Sequence, residues 1–162
     1  MIQERISVIA EQMNHDLDGK NPIFLGVLNG AFMFTSDLMK KTTIPCQVSF
    51  IKLASYQGME RGSTIHEVFG LTERIEGRTV VVVEDVVDSG HTMRQLIDSL
   101  RSRNPLEIKI ATLLFKPEAM VCGISPDYIA FEIPNDFVIG YGMDYDGYGR
   151  SFDQVYSKLG TT

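Results

Sequence analysis

Residues 80–92 read VVVVEDVVDSGHT, an apolar β-branched run that stops on two acids and then enters a short acidic turn containing glycine. Four consecutive valines suit a strand buried on both faces of a parallel sheet, because the polar–apolar alternation of a half-exposed strand is lost when neither face meets water. Helical spacing follows at once: Met93, Leu96, Ile97 and Leu100 fall at i, i+3, i+4 and i+7. A strand, a tight turn and a helix N-terminus together make a phosphate cradle, since the first backbone N–H groups of a helix have no internal partners and point outward. Ser89, Gly90 and Thr92 have the residue types for such a turn.

The turn is neither of the two common nucleotide loops. The only Gly-Lys pair, Gly19-Lys20, has Asn14 where a G-x-x-x-x-G-K-[ST] loop needs its first glycine and Asn21 where it needs a hydroxyl. A dinucleotide fingerprint needs G-x-G-x-x-G after the first strand, and the early strand Ile23 to Leu28 is followed only by Asn29-Gly30. What remains is a phosphate turn preceded by paired carboxylates, Glu84-Asp85, with Asp88 inside it. Carboxylates beside a bound phosphate repel it, so they must be aimed at hydroxyls, at a metal or at a proton in transit. Taken singly, the pair also reads as a solvated strand end, and Asp88 as a turn former.

Working outward, the chain alternates strands and helices. Ile2, Ile6, Ile9, Ala10 and Met13 form the stripe of an opening helix ending near Gly19, Ile23 to Leu28 is a strand, and Ala31 to Lys41 is a helix. Cys46 to Ala54 has strand character, with Val48, Phe50 and Lys52 sharing a face. The polar, glycine-bearing stretch Ser55 to Thr64 reads as a mobile flap before a short strand at Glu67 to Gly70, and Ile108 to Phe115 and Tyr128 to Ile133 are further strands. This pattern predicts an α/β fold with a mostly parallel sheet, whose ligands sit beyond the carboxyl ends of the strands. Asn29-Gly30, Glu84-Asp85 and Lys116 each lie just after a predicted strand, so residues distant in sequence share one rim.

The 162 residues, 44% of them hydrophobic, are material for one domain (1–162) with a single sizeable core. No apolar run approaches the roughly 20 residues of a membrane span, and the N-terminus carries charges where a signal peptide is apolar; a cytoplasmic location is expected. Cys46 and Cys122 sit apart in apolar contexts and read as buried free thiols. A net charge of −6 argues against binding nucleic acid through a basic surface.

The turn at 84–92 resembles the 5-phosphoribosyl-1-pyrophosphate (PRPP) motif of the type I phosphoribosyltransferases. Leu28-Asn29-Gly30, Ala54-Ser55-Tyr56, Leu113-Leu114-Phe115-Lys116 and Phe137-Val138-Ile139-Gly140-Tyr141-Gly142-Met143-Asp144-Tyr145 followed by Arg150 are similar to the hypoxanthine-guanine members, in the family's order. The resemblance implies a three-layer fold with a mostly parallel central sheet flanked by helices, a small hood, a flap over 55–65 and a PRPP-binding loop over 84–92. It implies Mg²⁺-dependent transfer of the phosphoribosyl group from PRPP to hypoxanthine and also guanine, a purine salvage reaction that releases pyrophosphate. The charge pattern agrees, because an acidic chain binding pyrophosphate needs a divalent cation between them.

By the same resemblance, Glu84 and Asp85 hold the ribose hydroxyls and, with Asp144, the metal. Asp88 is the general base near the purine ring nitrogen. Ser89, Gly90, His91 and Thr92 take the 5-phosphate, with no chemistry for the His91 side chain itself. Asn29, Gly30 and Arg150 meet pyrophosphate, and Ser55 and Tyr56 belong to the flap. Lys116 faces the purine 6-oxo group, which fits a residue with donors and no acceptor; alone it reads as a surface lysine. Phe137 stacks on the base and the Val138 backbone reads its edge, although an aromatic beside Pro134 more often belongs to a core. Tyr141, Tyr145 and Tyr148 are expected to pack.

Two positions depart from the family. Asn29 stands where many members carry lysine in a loop that often holds a non-proline cis peptide, and Asn135 replaces an acid common before the stacking aromatic. The alternatives are a xanthine- or guanine-preferring enzyme, or a non-catalytic regulator binding nucleotide or RNA on the same fold. The family's habit is a homodimer or homotetramer, for which the helix Ala31 to Met39 offers an apolar face.

Overall fold

The computed structural model describes residues 1–56 and 64–157, with the side chains of 54–56 and 64–69 outside that description. Six strands form the main sheet in the order β3-β2-β1-β4-β5-β6: β1 (Ile23–Leu28), β2 (Gln47–Tyr56), β3 (Thr64–Phe69), β4 (Thr79–Val87), β5 (Glu107–Phe115) and β6 (Tyr128–Glu132). Every neighbouring pair is parallel except β2 and β3, which run antiparallel. A second sheet of two short antiparallel strands, β7 (Val138–Ile139) and β8 (Tyr156–Ser157), follows.

Helices cover both faces of the main sheet and make the three layers. Val80, Val81, Val82 and Val83 are each 0% exposed, so the valine run lies between two cores, as a strand without alternation must. On one face α1 (Ile2–Asp16) and α2 (Phe32–Met39) close over Phe24, Val81, Val83 and Leu113; on the other α3 (His91–Arg101) closes over Ile23, Leu25, Val80 and Val82. The stripes are the expected ones: Ile6, Ile9, Ala10 and Met13 are buried on α1, and Met93, Leu96, Ile97 and Leu100 on α3. Arg5 ties α1 to the β6 edge through the carbonyls of Ala130 and Ile129. Among the described residues no helix is long and apolar enough to cross a membrane.

Several expectations need correction. The opening helix ends at Asp16 rather than near Gly19, and β4 does not stop at the acids. It runs on to Val87 because Val86 and Val87 still pair with Leu114 and Phe115 of β5, so Glu84 and Asp85 sit within the strand. The strand placed at Glu67 to Gly70 begins at Thr64, and β2 extends to Tyr56, because Tyr56 pairs with Thr64 across the antiparallel arm. Of the expected flap, 57–63 lie outside the described residues; Ser55 and Tyr56 belong to β2 by backbone. Val48, Phe50 and Lys52 do share a face, but not one covered as well as its opposite: Val48 is 47% exposed while Ile51 is 0%. That face follows Phe24, Gly26 and Leu28 of β1, and α2 packs over β1 and β4 rather than β2.

β1 pairs with β2 only as far as Leu28 with Lys52, after which Leu53–Tyr56 pair with β3 alone. The β2–β3 arm therefore projects past the carboxyl end of β1, toward the rim where Asn29 and Gly30 emerge.

Candidate functional site

The rim is built where β1, β4 and β5 end. At the end of β1 the Leu28–Asn29 peptide is cis, the geometry considered from the Leu-Asn-Gly loop. Gly30 follows with no room for a side chain: a Cβ built there would stand 1.9 Å from Asp85 Oδ2 and 2.5 Å from its Cγ. The loop after β1 thus lies directly against the second of the paired acids. Gly142 does the same from the other side, since a Cβ on it would stand 2.0 Å from the Gly30 carbonyl oxygen. Its φ of 101° is one glycine adopts freely.

Glu84 is 8% exposed and accepts a hydrogen bond from the Asp85 backbone N–H at 3.1 Å. Burial first, then the neighbouring Asp85 charge, push its carboxyl well above the usual range. A buried acid of this kind gains most from a cation or a hydroxyl donor brought to it. Asp85 accepts instead from the Val86 N–H at 2.9 Å.

After β4 the chain turns through Asp88, Ser89 and Gly90, whose φ of 85° makes the entry to α3. No side chain caps that helix, and the first helical bond runs from Arg94 N–H to the Gly90 carbonyl. The N–H groups of the first turn, where His91 and Thr92 stand, are therefore available to an anion. A cleft of about 90 Å³ lies there, lined by Glu84, Asp88, Ser89, Gly90 and Thr92 among others. Behind the turn, Val121 and Cys122 both donate their N–H groups to the Ser89 carbonyl, and Met120 and Cys122 fill the space a side chain on Gly90 would need. Cys122 is half-buried, not buried as expected, with its Sγ 3.2 Å from His91 Nδ1; Cys46 is also half-buried, and burial raises its thiol pKa.

Lys116 follows β5 and is not a surface residue: it is 7% exposed, and its Nζ donates to Asp88 Oδ2 at 3.0 Å. The Lys116 N–H also bonds the Val87 carbonyl, which fixes the start of the acidic turn against the end of β5. The residues read as purine partner and general base are thus adjacent across 28 positions of sequence. Phe137 is 48% exposed, so it is not core; Tyr145 meets it edge-on with centroids 5.6 Å apart. Val138 lies in β7, paired with Ser157. The tyrosines divide: Tyr141 packs at 4% exposure, whereas Tyr145 and Tyr148, expected to pack, are 61% and 81% exposed. The glycine-bearing turns at 146–149 carry them outward.

Arg150 and Asp144 form an ion pair at 2.7 Å, and Arg150 Nη1 donates to the Gly142 carbonyl at 2.8 Å. Asp144 Oδ2 also accepts from the Gly147 N–H. Among the described residues no group of three or more His, Cys, Asp and Glu side chains converges on a metal position, so Glu84, Asp85 and Asp144 do not form a protein cage. That donor set suits magnesium, which is held by one or two carboxylates together with substrate phosphates and keeps its remaining waters. Reading the sequence missed Asp37 and Gln3, which meet the Tyr141 hydroxyl; they lie on helices with no motif of their own, and the only pointer was a tyrosine set between two glycines.

Residues 1–146 match the family model described as the phosphoribosyl transferase domain. The hypoxanthine-guanine phosphoribosyltransferase of Streptococcus pneumoniae R6 is 40% identical over 165 residues, covering 97% of this chain and 92% of that one. Among solved structures, a Bacillus anthracis hypoxanthine-guanine phosphoribosyltransferase superposes with a TM-score of 0.92 at 31% identity, covering 98% of this chain and 94% of its own. The Trypanosoma cruzi hypoxanthine phosphoribosyltransferase, in complex with its product IMP, gives 0.91 at 34% identity, covering 96% and 88%.

Proposed function

This chain belongs to the phosphoribosyltransferase family, among its hypoxanthine-guanine members, and from that premise we propose that it transfers the 5-phosphoribosyl group of PRPP to hypoxanthine, and to guanine, in purine salvage. The observation that carries the reading is the Lys116–Asp88 pair at the strand ends. A 6-oxopurine presents a carbonyl to an ammonium and, one ring edge away, a ring N–H to a carboxylate; adenine offers an amino group that lysine cannot accept. The pair is satisfied by itself in the free protein and by the base when the base replaces it.

In the reaction one purine ring nitrogen forms the bond to ribose C1 while the bond from C1 to the pyrophosphate oxygen breaks and its electron pair leaves with pyrophosphate. The proton on the other imidazole nitrogen passes to Asp88. Glu84 and Asp85 orient the ribose hydroxyls, the uncapped N-terminus of α3 with Ser89, Gly90, His91 and Thr92 holds the 5-phosphate, and Phe137 stacks on the base with the Val138 backbone at its edge. Asn29, Gly30 and Arg150 receive pyrophosphate, and Ser55 and Tyr56 sit at the base of a flap. Glu84, Asp85 and Asp144 would hold Mg²⁺, which when bound would neutralise charge on the leaving pyrophosphate. Positioning and electrostatics do most of the work. We place the protein in the cytoplasm as a homodimer or homotetramer, with exposed Phe32 of α2 and Val48 on the same face of the sheet as the apolar surface available for assembly.

Initial rates of nucleotide formation from PRPP with hypoxanthine, guanine, xanthine and adenine, with Mg²⁺ and with chelator, test the reading. Metal-dependent use of hypoxanthine but not adenine, slowed about tenfold or more in Asp88→Asn, supports it. Binding of PRPP or nucleotide without turnover of any base would replace it with the regulator.

A further inference from the structure

Tyr141 is held in an unusual way for a residue whose side chain faces away from the rim. It stands between Gly140 and Gly142, at φ 97° and 101°, and itself adopts a left-handed φ of 49°. Three successive positive φ angles send the backbone across the mouth of the site and the ring into the core, where it is 4% exposed. Its hydroxyl donates to Asp37 Oδ2 at 2.5 Å. Gln3 Nε2 donates to the same oxygen at 2.6 Å and to the Tyr141 hydroxyl at 3.2 Å, while Lys40 Nζ reaches Asp37 Oδ1 at 2.8 Å. The start of α1, the body of α2 and the turn at 140–143 therefore meet on one carboxylate.

Both ends of this contact lead to the pyrophosphate side of the site. Asp37 lies on the helix that begins directly after Asn29 and Gly30. On the other side, Gly142 rests on the Gly30 carbonyl, and its own carbonyl and N–H bond Arg150. A phenylalanine at 141 would fill the same space, so packing alone does not call for the hydroxyl. What the hydroxyl adds is direction: a charge-assisted hydrogen bond has one geometry, where apolar contact tolerates sliding.

We propose that Tyr141 and Asp37 are a positioning pair that holds the turn bearing Gly142 and Arg150 in register with the loop bearing Asn29 and Gly30, and so sets the affinity for pyrophosphate and for the pyrophosphate end of PRPP. The inference rests on the assignment of that loop to pyrophosphate made above. It gives Asp37 and Tyr141 no contact with substrate. The 5-phosphate turn and Lys116 lie on other elements and are untouched by it.

The test uses Tyr141→Phe, Asp37→Leu, the double variant and Asp37→Asn, all in the full chain. Binding of Mg²⁺-pyrophosphate and of IMP is read by titration calorimetry, with KM for PRPP alongside. Loss of the Tyr141–Asp37 hydrogen bond, the contact that both variants remove, predicts that Tyr141→Phe and Asp37→Leu each weaken pyrophosphate, and raise KM for PRPP, by about three- to tenfold. IMP, which has no pyrophosphate, keeps its affinity within about twofold. The double variant is no worse than either single one, and Asp37→Asn, which retains an acceptor for the hydroxyl, binds pyrophosphate close to the parent. Equal weakening of pyrophosphate and IMP would mean general loosening and would overturn the proposal, as would unchanged pyrophosphate binding. Because pyrophosphate binding is read without turnover, a parent chain that binds it but makes no nucleotide counts against the proposed reaction alone. A parent that fails to bind it overturns this inference.

Discussion

Replacing Lys116 by methionine should separate catalysis from stability. Methionine keeps the length and most of the volume of the lysine stem, so the buried position, 7% exposed, is refilled without a large cavity. What goes is the ammonium and its 3.0 Å bond to Asp88. The Asp88 side chain is 48% exposed, and water can take the place of the lost partner, so the pair contributes about 1 kcal/mol or less to folding. For a chain of this size that is a fall in Tm of no more than about 4 °C. In the complex the same ammonium faces a base carbonyl inside a shielded site, where a charged hydrogen bond contributes about 1.5–3 kcal/mol. Loss of that contact lowers kcat/KM for hypoxanthine by about 10- to 150-fold, with no matching loss for adenine. Steady-state rates with both bases, beside a thermal melt, measure the two effects on one preparation. A hypoxanthine kcat/KM within about threefold of the parent, or a melt lowered by more than about 10 °C, would refute the reasoning.

Gly30→Ala places a methyl group 1.9 Å from Asp85 Oδ2; the carboxylate or the loop must move, and KM for PRPP should rise about tenfold or more while the melt changes little. Asp37 loses ionisation energy to burial, but hydrogen bonds from Lys40, Tyr141 and Gln3 outweigh that and hold its carboxyl below the usual 3.8. Its contribution to stability is complete above that value and is lost as pH falls through the lower folded one, so Asp37→Asn should lose less stability than the parent as the pH is taken below 3.8 in acid titrations followed by circular dichroism. Leu25→Ala, in the middle of β1 at 0% exposure, should cost about 2–5 kcal/mol in denaturant unfolding; a smaller loss would mean that the face under α3 collapses around the gap.

Sequence pattern carried the sheet well where burial on both faces left no choice. The valine run, the four buried positions of α3 and those of α1 were legible because a helix or strand committed to a core shows its period directly. The ends were less legible. β4 outlasts its apolar run because its length is set by pairing with β5, and acids inside a strand look in sequence like its end. Val48 gives no sign that the layer above it stops short, since the reach of α2 over the sheet is a property of the whole packing. The rim was found from motifs, but the contacts between them were invisible: nothing in the order of residues places Gly142 on Gly30 or Lys116 on Asp88. Tyr145 and Tyr148 misled because an aromatic is a good core residue by type, and only the positive-φ turns around them decide that they face outward.

The arm formed by the last residues of β2 with β3 is joined to the sheet only at its base, beyond the pairing of Leu28 with Lys52. A two-stranded ribbon is marginal in water without a third strand or a helix against it, so its amide protons and those of β1 keep different clocks. Leu53 can exchange with solvent by opening of the arm alone, whereas Leu25 waits for the sheet itself to come apart. The boundary between the slowest and the fastest exchanging backbone therefore falls within a few residues on β2, alongside the loop that carries Asn29 and Gly30, and a substrate that settles against the arm will register there first as slowed exchange.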